Sequence, residues 1–173
     1  MKNKILFFLW AMLLSASVTM AQGNQSFAFQ KLYIYTFTKY VEWPAAVSEG
    51  DFVIGVLGQT GLLIHLQKMA DEKTVDGREI KIVQLDKPEQ AKDCHILFLA
   101  QNLSEQLPEV EQALNEAPVL VVTEQDGLAK EGSGINFIMV DGKLKFEMNL
   151  TSIEKSQLKV KDALKRFAVE VYS

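Results

Sequence analysis

The 173-residue sequence carries 18 Lys and Arg against 22 Asp and Glu, a net charge of −4 at pH 7 with both signs interspersed. No basic stripe of the kind that phosphate-backbone binding needs is present, which argues against a nucleic-acid partner. A single cysteine, Cys94, excludes an intramolecular disulfide in any redox compartment.

In chain order, Lys2 and Lys4 precede an apolar run from Ile5 to Leu14, and Thr19-Met20-Ala21 resembles a small-x-small cleavage pattern. These features predict a signal peptide over residues 1–21 and export to the periplasm. The run is about ten residues, short of the ~20 that span a bilayer. No cysteine follows it to carry a lipid, so no direct membrane anchor is expected. Residues 22–173 then have the length of one ordinary domain.

Phe27 to Trp43 has helical spacing, with Phe29, Tyr33, Phe37 and Tyr40 on one face, and Pro44 ends it. Four apolar runs follow: Phe52 to Leu57, Ile80 to Val83, Ile96 to Leu99 and Val119 to Val122. Unbroken β-branched runs are strands covered on both faces, which implies a parallel sheet. Helical stretches separate them, Thr60 to Ala70 and Ser104 to Asn115, the second with Ser104 as its expected N-cap. This alternation predicts an α/β, single-domain sandwich: a mostly parallel, doubly wound sheet with helices on both faces. Later, Ile135 to Val140, the turn Asp141-Gly142 and the alternating Lys143 to Met148 predict an antiparallel C-terminal edge strand. Its Leu144, Phe146 and Met148 face the core, and Lys143, Lys145 and Glu147 face solvent. A capping-box pattern at Thr151 to Glu154 starts a short helix, and a final helix is expected from Val160 to Tyr172.

The chemistry-bearing residues do not assemble into a catalytic set. Cys94 and His95 are adjacent at a strand, so their side chains point to opposite faces and cannot form a nucleophile–base pair. His65 and His95 have no ligand spacing for a zinc site. The segment Gly127 to Ser133 has P-loop glycine spacing but a serine where the lysine belongs. No enzyme activity, metal or cofactor is therefore expected. The one ligand-like feature is Gly58-Gln59-Thr60-Gly61, a strand-to-helix loop at the carboxyl end of the first long strand, where a small ligand would sit.

The segment Tyr35-Thr36-Phe37-Thr38-Lys39-Tyr40-Val41-Glu42-Trp43-Pro44 resembles the opening of the YfiR-like family of periplasmic proteins. Blocks at Ile54 to Gly58, Cys94 to Phe98, Gly134 to Phe137, Phe146 to Asn149 and Leu158 to Val160 follow in the same order. The resemblance implies a dimeric α/β regulator. Such a regulator binds the periplasmic sensor domain of a membrane-bound diguanylate cyclase and holds it inactive, lowering cyclic di-GMP and biofilm formation. Relatives also occur beside sensor histidine kinases, so a kinase is the alternative partner; a different alternative is a small-molecule-binding sensor subunit. Characterised relatives carry several cysteines, whereas this chain retains only Cys94 for a bridge between subunits. By the family's pattern the partner-facing region is the last strand and the helix after it. That places Glu147 there as an outward edge-strand charge, and Ile153 as an exposed apolar anchor in the first helical turn.

Overall fold

Apolar spacing in the first aromatic segment produces a helix, α1, over residues 26–40. The computed structural model describes residues 26–173; the expected signal peptide lies outside the described residues. Gln30, Ile34, Phe37 and Thr38 form the buried line of α1. The line is rotated from the expected stripe, and Phe29 is 47% exposed. Tyr33 and Tyr40 flank it at half burial, as suits side chains with one wet end. The helix stops before Trp43 because Val41–Glu42 (β1) pairs antiparallel with Lys159–Val160 (β9).

The main sheet contains β2 (Phe52–Leu57), β3 (Thr74–Val75), β4 (Arg78–Leu85), β5 (Ile96–Leu99), β6 (Leu120–Thr123), β7 (Ile135–Val140), β8 (Lys143–Asn149) and β10 (Glu170–Tyr172). Its order is β10-β8-β7-β6-β5-β2-β4-β3. Strands β4, β2, β5, β6 and β7 run parallel; β8 is antiparallel to β7, and β3 to β4. The α/β doubly wound architecture with an antiparallel C-terminal arm is thus as the sequence implies. At Asp141-Gly142 both residues have positive φ, 50° and 71°, the backbone that a two-residue hairpin turn demands.

Helices cover both faces. On one side α1, α2 (Leu62–Glu72), α5 (Leu150–Lys155) and α6 (Asp162–Lys165) bury Ile54, Ile96, Phe98, Val122, Phe137 and Phe146. On the other, the 3-10 turn Pro88–Asp93 and α3 (Leu107–Leu114) cover Leu57, Leu85, Cys94, Leu97 and Val121. Gly55 is required at this second layer, since a Cβ there would strike the Cys94 thiol and Leu85.

Three local expectations are corrected. Ser104 does not cap α3: the residues around it form a 3-10 stretch, its Oγ donates to the Gln101 carbonyl at 2.8 Å, and the α-helix starts at Leu107. Pro108 in the first turn has no N–H to leave unpaired, which fixes that start. The cap of α5 is Asn149, whose side chain accepts from the Ser152 N–H at 3.0 Å, so the helix begins one residue before Thr151. The final helix reduces to α6: Val160 belongs to β9, residues 166–169 are turn and irregular backbone, and Glu170–Tyr172 forms β10. The edge of β8 offers unpaired backbone groups, and Val169 N–H donates to the Phe146 carbonyl at 3.0 Å. A β-branched and aromatic run is captured by that edge in preference to helix.

Candidate functional site

Strands β6, β7, β8 and β10 carry a line of polar side chains across one face of the sheet. Their register sets the line: Thr123 pairs with Asn136, Asn136 with Glu147, and Glu147 with Glu170. Thr123 Oγ1 donates to Asn136 Oδ1 at 2.7 Å and lies 2.9 Å from Ser133 Oγ. Asn136 Nδ2 then donates to Glu147 Oε2 at 3.1 Å, and the Tyr172 hydroxyl donates to Glu147 Oε1 at 2.9 Å. The bond to Glu147 holds the Tyr172 phenol above its ordinary pKa. Lys130 of α4 (Leu128–Glu131) sits 5.6 Å from the centre of the Tyr172 ring. Asn149 Nδ2 donates to the Ala129 carbonyl at 2.7 Å, so one end of β8 orders both α4 and α5.

Glu147 therefore does not stand on the outermost strand as a free charge. The strand β10 covers it, and its carboxylate is satisfied from both sides. Ile153 is 1% exposed and belongs to the core, packed near Gly134 and Leu120, so the exposed apolar anchor expected there is corrected. Its side chain takes the inward position of the first turn of α5, which the sequence alone leaves undetermined. The exposed apolar residues in this region are instead Phe167, 64% exposed, and Val169, 44% exposed, immediately before β10.

The loop Gly58-Gln59-Thr60-Gly61 lies at the carboxyl ends of β2 and β5, where the winding of the sheet reverses. Several of its groups are engaged within the fold. Gln59 N–H bonds Asn102 Oδ1 at 3.0 Å and Leu62 N–H bonds Thr60 Oγ1 at 3.1 Å, while Phe27 lies against Gly61. Gln84 Nε2 donates to the Gly58 carbonyl at 2.8 Å. Nearby, the Glu124 carboxylate accepts from Gln30 Nε2 at 2.7 Å and from the Gln101 N–H at 3.3 Å, pinning α1 to the sheet. Burial pushes the Glu124 carboxyl above its usual range.

Cys94 and His95 face opposite layers. The thiol is buried and burial pushes it up to about 11. Its burial leaves no accessible sulfur for the bridge between subunits that the sequence left open. His95 stacks on Phe52 with ring centroids 4.5 Å apart. Its Nδ1 accepts from the Val53 N–H at 3.0 Å, which places the neutral ring's proton on Nε2, donated to the Val47 carbonyl at 2.8 Å. Arg78 Nη2 is also 2.8 Å from Nε2, and its guanidinium donates to the Glu49, Gly50 and Asp51 carbonyls. The Trp43 indole closes this clamp by donating to the His95 carbonyl at 3.1 Å. His65 is half-buried on α2, 6.0 Å from Phe27. Among the described residues, no group of three or more His, Cys, Asp or Glu is placed to hold a metal ion, and no helix is long and apolar enough to cross a membrane.

Sequence reasoning missed Asn136 and Tyr172 as partners of Glu147. The Asn136–Glu147 pair was open to detection, because the two-residue hairpin turn fixes that register; Tyr172 was not, because its strand was read as helix.

The YfiR/HmsC-like family model matches residues 27–169, and this chain belongs to that family. No curated protein matches it. Membership makes the chain a regulator of diguanylate cyclase signalling in general terms, from a family of periplasmic proteins that act on a membrane signalling partner.

Proposed function

We propose that this protein binds the periplasmic sensor domain of a membrane-bound diguanylate cyclase and holds the enzyme inactive, lowering cyclic di-GMP output. The observation that carries the reading, beside family membership, is the apolar pair Phe167 and Val169 exposed next to the Glu147–Tyr172 bond. Large apolar side chains leading into an edge strand, with the paired Glu147 and Glu170 beginning that strand's register, have the make-up of a docking centre. Glu147 acts here by holding β10 in place, and Phe167 supplies the anchor. Ile153 contributes from beneath by fixing α5. The working unit is a homodimer, as the family resemblance implies, and light scattering of the purified protein tests that count.

The decisive experiment titrates the protein with the periplasmic domain of the sensor protein encoded beside it. Saturable binding is expected, and Phe167→Asp should cost about 2 kcal/mol or more of affinity, the scale of an interface hot spot. The variant's melting temperature should be unchanged because Phe167 is exposed. Undiminished binding by the variant would remove this surface from the interface. Absence of binding at micromolar concentration would remove the cyclase partner, and binding without repression of cyclase activity would move the reading to a sensor kinase.

A further inference from the structure

At the carboxyl ends of β5 and β6, α1 meets the sheet through one polar junction. Gln30 is 3% exposed, and its Nε2 donates to Glu124 Oε2 at 2.7 Å. Glu124 directly follows β6 and is half-buried; its Oε1 accepts a long bond, 3.3 Å, from the Gln101 N–H beyond β5. Gln30 Oε1 has no partner, and among the described residues it is the one buried side-chain oxygen or nitrogen left so. An orphaned acceptor of this kind costs stability unless something supplies a donor. Turning the amide over gives no relief, since that would set its oxygen against the carboxylate and orphan the nitrogen instead.

The carboxylate has no compensating cation. Among the described residues, Lys31 of α1, Glu105 of the 3-10 segment Gln101–Gln106 and Asp126 after β6 make no ion pair with it, and His65 of α2 lies against Phe27. Burial raises its pKa, and the bonds from Gln30 and Gln101 oppose that rise. A carboxylic acid and a primary carboxamide are complementary: the amide N–H donates to the acid's carbonyl oxygen, and the acid O–H donates to the amide oxygen. The first of these two bonds is already in place, and the second would satisfy the orphaned oxygen.

We propose that Glu124 and Gln30 form a proton-operated latch, in which a proton taken from solvent onto Glu124 Oε1 is donated to Gln30 Oε1 and tightens the first half of α1 onto the sheet. The Gln101 N–H keeps its bond through the other lone pair of the same oxygen. The folded protein holds this proton more tightly than the unfolded chain, so the latch is strongest in acid and loosens as pH rises through the raised folded pKa of Glu124. Phe37 anchors the second half of α1 through Phe137 and Phe146, which keeps the change local. His95 lies at the opposite, amino-terminal end of β5 and answers acid in the opposite sense. The latch does not depend on the identity of the protein partner.

The test reads amide hydrogen exchange at residues 30–34, corrected for intrinsic rates, in the native protein, Glu124→Gln and Glu124→Met from pH 7.5 to pH 4. Glutamine keeps the acceptor and carries a permanent donor, so it reproduces the closed latch at every pH. At pH 7.5, Glu124→Gln should protect these amides roughly three- to tenfold better than the native protein, the scale of one net hydrogen bond. The difference should close as the Glu124 carboxyl, followed by its carbon-13 shift, takes up its proton, with a midpoint above the ordinary glutamate value of ~4.3. Glu124→Met removes the charge without supplying a donor and should protect less than Glu124→Gln throughout. Comparing the three proteins at each pH cancels the response of His95. Equal protection in the native protein and Glu124→Gln at pH 7.5, a difference that persists below the midpoint, or a midpoint at or below ~4.3 would each overturn the proposal. So would Glu124→Met matching Glu124→Gln, which would make loss of the buried charge the whole effect.

Discussion

His95 shows how a single ring can be locked into one protonation state. Its Nδ1 is committed as an acceptor to the Val53 N–H, and Nε2 lies between the Val47 carbonyl and the Arg78 guanidinium. Burial, and then the Arg78 charge, hold its pKa below the ordinary value. The folded protein thus binds this proton less readily than the unfolded chain. Stability from the neutral ring is complete above the unfolded pKa of ~6.5 and is lost as pH falls from there toward the lower folded value. Urea midpoints should therefore drop from pH 7.5 to pH 5 more steeply in the native protein than in His95→Phe, which cannot titrate. Parallel pH profiles for the two would show that His95 does not govern the acid response. Trp43, the most distinctive residue of the opening motif, serves this same clamp through its bond to the His95 carbonyl, so its role is to secure the fold.

Among the elements, β10 is the one most dependent on its neighbours. It has three residues, pairs on one side only, and is held by register with β8 and by the Tyr172–Glu147 bond. Strands of that length have little stability of their own, so β10 belongs to the part of the molecule that opens first. Tyr172→Phe should speed amide hydrogen exchange at Val171 and Tyr172 while leaving β2 and β5 unaffected. Exchange unchanged in β10 would mean that backbone pairing alone holds it. Glu147→Lys would remove the same bond and also face Lys130, so it perturbs fold and surface together; Phe167→Asp separates the two. The α1 helix is the opposite case. Its Phe37 packs 6.0 Å from Phe137 and 5.4 Å from Phe146, anchoring it firmly to the C-terminal arm.

Across the whole molecule, the sheet divides the core into two layers with different duties. The larger joins α1, α2, α5 and α6 to both arms of the sheet, while the smaller lies beneath α3 and the turn at Pro88–Asp93 and holds Cys94. The thiol is inaccessible, and its pKa of about 11 leaves almost no thiolate at neutral pH. Labelling by iodoacetamide should consequently be slow in buffer and accelerate with urea in parallel with unfolding of the α3 layer. Rapid labelling of the native protein would show that this layer opens independently. At the carboxyl ends of β2 and β5, where open α/β sheets usually bind ligands, the Gly58 to Gly61 loop is braced by contacts from Asn102, Gln84 and Phe27.

The sequence by itself determined the α/β class, the parallel order implied by four unbroken apolar runs, the hairpin at Asp141-Gly142 and the family. Each of these rests on local periodicity or local turn chemistry, which the chain carries without reference to distant residues. It also led correctly to opposite faces for Cys94 and His95, because alternation along a strand is a local property. Only the tertiary structure decided the fate of residues whose conformation depends on a remote partner. Phe167 to Tyr172 could read as helix until the open edge of β8 supplied backbone acceptors and donors. Ile153 could point outward or inward until the space between Gly134 and Leu120 took it, and Glu147 was a free charge until Asn136 and Tyr172 closed around it. The physical reason is the same in all three: burial and hydrogen-bond satisfaction are settled by groups far away in sequence, and those long-range terms exceed the small local preferences that a sequence displays.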